Sequence, residues 1–139
     1  MRLLFVTDAR SPISKNWMRF FIERGDEVFI ATTFDCDSDL APMRMEFTPV
    51  AFSGAKKRSA APSSASSRTL SLRTKIRQWL GPVTIPAAAR KLRAFIQEVQ
   101  PDIVHAMRIP YEGMLTASAL DGLVTRPSFI VSIWGNDFT

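Results

Sequence analysis

The sequence predicts an α/β fold, with a parallel sheet between two layers of helices. Several apolar runs are short and rich in β-forming residues, as expected for buried strands. They alternate with stretches of helical spacing. The first strand, helix and strand follow one another within residues 2–32, and such a βαβ unit is right-handed and parallel almost by default.

The N-terminal half supplies the first three strands. Strand Arg2–Thr7 is followed by a helix from about Ser14 to Arg24, which Gly25 can cap, and by strand Glu27–Thr32. A weaker strand covers Met45–Phe52, and its Pro49 favours a place at a sheet edge. The apolar stripe of the helix is predicted to consist of Ile13, Trp17 and Phe21.

The C-terminal half continues the alternation of helices and strands. Pro86 can open a helix that runs to Gln100. The later elements are predicted as strand Ile103–Ala106, helix Tyr111–Leu120 and the buried-type strand Phe129–Ile133. This order predicts one Rossmann-like domain over residues 1–139, a doubly wound α/β/α sandwich with strand order 3-2-1-4-5.

A basic block interrupts an otherwise acidic chain. Ten of the 18 basic residues, and none of the 13 acidic ones, lie between Glu46 and Glu98. Residues 53–67 are predicted to form a flexible, basic Ser/Ala-rich insert, and residues 69–80 a basic amphipathic helix. The block could be a solvated linker, bind anionic lipid or bind nucleic acid, but no nucleic-acid motif accompanies it and we expect no nucleic-acid partner. The membrane-binding candidates are Arg73, Lys75, Ile76, Arg77 and Trp79.

The composition limits cofactors and location. The lone Cys36 excludes a disulfide framework and a cysteine metal cluster, and one histidine cannot form a multi-histidine site. The loop after the first strand lacks G-x-G-x-x-G, so we expect no dinucleotide cofactor. Because the chain has one cysteine and one histidine, we also expect no metal. No apolar run reaches bilayer length and no signal peptide is evident, which indicates a cytoplasmic protein.

Polar residues follow three of the predicted strands. Because the carboxyl ends of parallel strands meet at one edge, where open α/β sheets bind ligands, we expect these residues to line a cleft. The candidates are Asp8, Arg10 and Ser11 after the first strand, His105, Arg108 and Tyr111 at the fourth, and Trp134, Gly135, Asn136 and Asp137 after the fifth.

Each cluster also has a simpler interpretation. The first loop could be a solvated turn, and His105 a satisfied core residue on an apolar strand. Gly135 and the two residues after it are also of the types that are common in turns. Glu112 would provide favourable negative charge at a helix N-terminus.

Three segments together resemble one family. MRLLFVTDARSPISKNWMRFFIERGDEVFIAT, PDIVHAMRIPYEG and SFIVSIWGNDFT are similar to the first, fourth and fifth strands, with their loops, of retaining family-4 glycosyltransferases of GT-B architecture. The chain departs from that pattern at three places. Ala9-Arg10 replaces a common glycine pair, Met107 replaces a second histidine, and Trp134 replaces a histidine often found near the chemistry.

The resemblance implies that this chain is the first part of an acceptor-binding domain. The acceptor would be a saccharide or lipid-linked, and the nucleotide-sugar donor would bind a missing C-terminal domain. The isolated chain is then expected to be inactive, with no catalytic residue of its own, and to lie in the cytoplasm or peripherally on the inner face of the plasma membrane. A stand-alone α/β module for an anionic small molecule is the alternative, while a receiver-type signalling domain has little support. Copies could also pair through a sheet edge.

Overall fold

The computed structural model describes residues 1–36, 39–50 and 84–133. Within them, five parallel strands form one sheet in the order β3-β2-β1-β4-β5, which confirms the predicted topology. The insert and basic helix predicted over residues 53–67 and 69–80 lie outside the described residues.

The described elements alternate as the βαβ pattern predicts. In chain order they are β1 (Arg2–Thr7), α1 (Pro12–Glu23), β2 (Glu27–Thr32), β3 (Arg44–Phe47), α2 (described over 84–99), β4 (Ile103–Ala106), a kinked turn (Ile109–Gly113), α3 (Met114–Leu120) and β5 (Ser128–Val131). Helix α1 covers one face of the sheet, and α2 and α3 cover the other.

Alternation along the strands divides the apolar core between the two faces. Leu4 and Val6 of β1 pack with α2 and α3, whereas Leu3 and Phe5 pack against α1. All four side chains are at most 3% exposed. A parallel sheet covered on both faces needs such apolar side chains at successive positions, which is why β1 reads as a continuous apolar run.

Helix α1 presents a different face to the sheet from the one predicted. Ile13 and Trp17 are 52% and 43% exposed, so the predicted stripe is wrong at both positions, and only Phe21 packs partly against the core. The buried positions are Ser14 and Met18. The Ser14 hydroxyl lies 2.7 Å from the Thr7 hydroxyl. Ser14, Met18 and Ile22 are spaced four residues apart, so they lie on the one face of α1 that packs toward the sheet.

Other element boundaries also differ from the predictions. Helix α1 begins at Pro12, two residues earlier than predicted, and β3 is only Arg44–Phe47. The edge position predicted from Pro49 is confirmed for the described strands, among which β3 pairs with β2 alone. Helix α3 begins at Met114 because Tyr111 in the preceding turn is not helical.

Strand β5 forms the other edge of the described sheet. It runs from Ser128 to Val131, and Phe129 and Ile130 are 39% and 45% exposed, so the prediction of a buried strand is wrong. The two side chains point to opposite faces because residues alternate along a strand. Pairing of two copies through a sheet edge stays a prediction, which sedimentation velocity would check.

A candidate ligand crevice at the carboxyl edge

A crevice opens between the carboxyl ends of β1 and β4. These strands are neighbours at the point where the 3-2-1-4-5 order reverses direction, and open α/β sheets bind ligands at this switch point. The cavity has a volume of about 180 Å³. Its lining residues are Thr7, Asp8, Ser11, Ile13, Ser14, Met107 and Arg108. Three predicted site residues, Asp8, Ser11 and Arg108, therefore come together here.

The loop after β1 is held by an ion pair between Asp8 and Arg10. The Arg10 Nε and Nη2 atoms donate to the two Asp8 carboxylate oxygens at 2.9 and 2.8 Å, and the Arg10 guanidinium lies 3.8 Å from the centre of the Phe34 ring. Burial would raise the pKa of Asp8, but the hydrogen bonds from Arg10 outweigh it and hold the pKa below its ordinary value. Arg10 thus fixes the loop and does not line the cavity.

Two buried hydroxyl groups at the crevice were missed by the sequence predictions. Thr7 ends β1, Ser14 lies in the first turn of α1, and their oxygens are 2.7 Å apart. The Ser11 backbone N–H donates to the Asp8 carbonyl at 3.0 Å, which turns the chain from the strand into the helix. The only sequence signal for Ser14 is its spacing of one helical turn from the buried Met18.

The loop after β4 is unusually shaped. Tyr111 has φ 63° and ψ −65°, a conformation that costs a non-glycine residue of the order of 1–3 kcal/mol. The Gly113 N–H donates to the Arg108 carbonyl at 2.9 Å, and a Cβ atom on Gly113 would lie 3.0 Å from that oxygen. The loop therefore closes tightly behind Arg108. The Tyr111 ring packs on the core beside α2 and α3, so the structure does not bring it to the crevice.

Glu112 is the buried acid that the sequence predictions treated only as helix-terminal charge. Its side chain is 5% exposed, and its carboxylate accepts a hydrogen bond from the Thr33 hydroxyl at 3.2 Å. Thr33 in turn donates its N–H to the Thr7 carbonyl at 2.9 Å. Burial raises the pKa of Glu112 above its ordinary value, despite its backbone hydrogen bond, the Thr33 hydrogen bond and the nearby Arg108.

His105 lies on the face of the sheet that α1 covers and is not among the residues that line the crevice. Its ring is 5.4 Å from the Phe5 ring and 5.9 Å, edge-on, from the Trp17 ring. Its Nε2 atom is 2.7 Å from the Ser132 hydroxyl. The residue is 8% exposed, and burial lowers its pKa. These contacts, aromatic packing and one hydrogen bond, are those of a histidine buried in the core.

The remaining predicted candidates cannot be placed. The four residues predicted after β5, Trp134, Gly135, Asn136 and Asp137, lie outside the described residues, as do the five membrane-binding candidates. Within residues 1–36, 39–50 and 84–133, His, Cys, Asp and Glu side chains form no group of three that could hold a metal ion. In the same part of the chain, no helix has both the length and the apolar character needed to cross a bilayer.

A larger groove, of about 760 Å³, lies at the opposite edge of the sheet. It includes Asp102 and Ser128, which stand at the amino ends of β4 and β5. The Asp102 carboxylate accepts the Arg2 backbone N–H at 2.7 Å, so it has a structural partner. Parallel sheets bind ligands at the carboxyl edge, and the smaller crevice is therefore the better candidate.

No protein-family model matches the chain, and no curated protein matches it significantly. The resemblance to family-4 glycosyltransferases accordingly rests on the three segments quoted above and stays a prediction.

Proposed function

We propose that this chain is the acceptor-side portion of a glycosyltransferase that moves a sugar from a nucleotide-sugar to a saccharide or lipid-linked acceptor. The observation that carries the proposal is the polar crevice at the β1/β4 switch point. Ser11 supplies a hydroxyl that can pair with sugar hydroxyls, and Arg108 supplies a cation suited to a phosphate or carboxylate. Two of the segments that resemble the family contribute these residues.

The nucleotide-sugar would bind a second domain that faces this crevice. Transfer needs both reactants and the stabilising charges assembled in one place, so the 139-residue chain alone should bind acceptor without transferring sugar. NMR titration of the labelled chain with a short saccharide should shift the amide signals of Thr7, Ser11 and Arg108. A radiolabelled nucleotide-sugar supplied with the same saccharide should leave it unlabelled. Labelled product, or shifts confined to other residues, would contradict the proposal.

A stand-alone binding module for an anionic small molecule is the second candidate. The small volume of the crevice, about 180 Å³, favours a compact ligand, because pockets for larger ligands commonly exceed about 300 Å³. The two candidates differ in what competes for the crevice. A saccharide should displace a bound anion if the crevice receives an acceptor, and should have no effect if it serves the anion alone.

The same proposal places the protein peripherally on the inner face of the plasma membrane. Its support is the basic, amphipathic sequence of residues 69–80, which lie outside the described residues. Anionic liposomes should retain the protein at low salt and release it when Arg73, Lys75 and Arg77 are changed to glutamate. Equal retention of the triple variant would contradict membrane docking through this segment.

A further inference from the structure

Four charged side chains cluster around the crevice. Asp8 and Arg10 form the ion pair of the first loop, and Arg108 lines the crevice together with Asp8. The positive charge of Arg108 favours the ionised forms of Asp8 and Glu112. With both carboxyl groups ionised the charges of the four side chains cancel. Protonation of either one leaves a net positive charge beside the cavity.

Glu112 is the member of this cluster whose charge can change most easily. The ion pair between Asp8 and Arg10 lowers the pKa of Asp8 and raises the pKa of Arg10, so both of these side chains stay charged. Glu112 is almost fully buried, and its charged partners across the turn are Arg108 and, with opposite effect, Asp8. The Thr33 hydroxyl donates a hydrogen bond to the Glu112 carboxyl group, and the Thr33 N–H donates one to the carbonyl of Thr7, which lines the cavity. These two hydrogen bonds therefore connect Glu112 to a residue that lines the crevice.

We propose that Glu112 couples anion binding in the crevice to protonation. Binding of a phosphate- or sulfate-like group beside Arg108 is accompanied by net proton uptake from solvent by the Glu112 carboxyl group. The inference rests on the proposed function, because it requires the crevice to be the ligand site. An ionised Glu112 would repel the anion, whereas the neutral carboxyl group leaves Arg108 with a net attraction.

The coupling is reciprocal. If the anion favours the protonated form of Glu112, then protonation must favour the anion by the same factor. Affinity should consequently fall as pH rises, by a total factor of about 5 to 150, the range of ordinary couplings between sites. A lipid phosphate and a free phosphate share this chemistry, so a free anion is a sufficient first probe.

Inorganic sulfate is the probe of choice because its own charge does not change across the range tested. Calorimetric titration of the 139-residue chain with sulfate, from about pH 5 to about pH 8, should show weakening affinity as pH rises. Repeating one titration in buffers of different ionisation enthalpy should show net proton uptake on binding. Glu112→Gln keeps the size and the acceptor for Thr33, and should bind sulfate with an affinity nearly independent of pH.

Three control variants separate the possible outcomes. Glu23→Gln removes an exposed carboxylate at the far end of α1 and should keep the wild-type pH profile. His105→Gln removes the single histidine of the chain and should also keep that profile. Arg108→Gln should weaken binding at every pH.

Two results would overturn the inference in different ways. Sulfate binding that needs Arg108 but is independent of pH, with no proton uptake, would overturn the role of Glu112 and leave the crevice as a ligand site. Absence of sulfate binding at any pH, or binding unaffected by Arg108→Gln, would overturn both this role and the crevice as an anion site. If a saccharide does not shift the NMR signals of the crevice residues, by contrast, that result would count only against the acceptor proposal.

Discussion

The Thr33 hydroxyl donates a hydrogen bond of 3.2 Å to the carboxylate of Glu112, a residue 79 positions away in the sequence. It joins the end of β2 to the loop after β4, across the end of β1 that lies between them. Both residues are buried, and the Thr33 N–H in turn donates to the carbonyl of Thr7, which lines the candidate crevice. The position of the loop behind Arg108 thus depends on a contact that neither segment could make alone.

Replacement of Glu112 by glutamine should change how stability depends on pH. The pKa of Glu112 is raised above its ordinary 4.5, so between that value and the raised pKa the folded chain binds more protons than the unfolded chain. The free energy of unfolding of the wild type should therefore fall as pH rises through this window and level off above it. Glu112→Gln lacks this component. Urea unfolding at a series of pH values should therefore show the free energy of unfolding of the variant rising relative to that of the wild type as pH increases through the window. A constant difference between the two proteins at all pH values would contradict the buried-carboxyl account, and Glu23→Gln is the control for general charge effects.

The histidine should titrate below its ordinary pKa. Burial lowers the pKa of His105 from 6.5, and since the chain contains one histidine, a single imidazole NMR signal reports it. Between the lowered pKa and 6.5, the unfolded chain binds more protons than the folded chain. The contribution of His105 to the free energy of unfolding is therefore full above pH 6.5 and declines as pH falls through this window. The same signal in urea should return to the ordinary value. A folded-state midpoint at or above 6.5 would show that the ring is not buried between Phe5 and Trp17.

Truncation of Met18 should cost far more stability than truncation of Ile13. Met18 is 0% exposed in the core beneath α1, and removing such a side chain typically costs about 2–5 kcal/mol. Ile13 is 52% exposed, so Ile13→Ala should change stability by no more than about 0.5 kcal/mol. Urea unfolding of Met18→Ala and Ile13→Ala measures both. Equal losses would mean that α1 faces the sheet as its apolar pattern predicted.

Alanine at Gly113 should damage the crevice as well as the fold. Gly113 has helical angles, so alanine would normally stabilise by about 1 kcal/mol, but the added Cβ atom meets the Arg108 carbonyl at 3.0 Å. We expect a net loss of the order of 1–3 kcal/mol from overpacking, together with displacement of Arg108 and weaker anion binding.

Gly25 provides the matched control for that variant. Its φ is +86° and nothing lies within 4 Å of an added Cβ atom, so Gly25→Ala should cost about 1–2 kcal/mol through backbone strain alone. Anion affinity should be unchanged in Gly25→Ala. If Gly113→Ala kept both full stability and full affinity, the close approach of Gly113 to Arg108 would have no consequence.

Much of the architecture follows from local sequence. The buried strands Arg2–Thr7 and Glu27–Thr32 have the bounds their composition predicts, because parallel strands covered on both faces must be apolar throughout. The βαβ rule and the helix before β4 then determine the strand order, and that order determines where the switch point lies. Asp8, Ser11 and Arg108 were accordingly predictable as crevice residues.

The sequence by itself therefore determined the sheet, its order and the edge at which a ligand site belongs, since these depend on local composition and on the handedness of short connections. Only the tertiary structure decided which face of α1 is buried, because that depends on what lies beneath the helix: Met18 meets the apolar core and Ser14 meets Thr7, while Ile13 and Trp17 stay exposed. It also decided that Glu112 is a buried acid and not a solvated helix-terminal charge. That environment comes from burial beside Thr33, which the strand order brings to the loop after β4, and the local sequence around Glu112 contains no sign of Thr33.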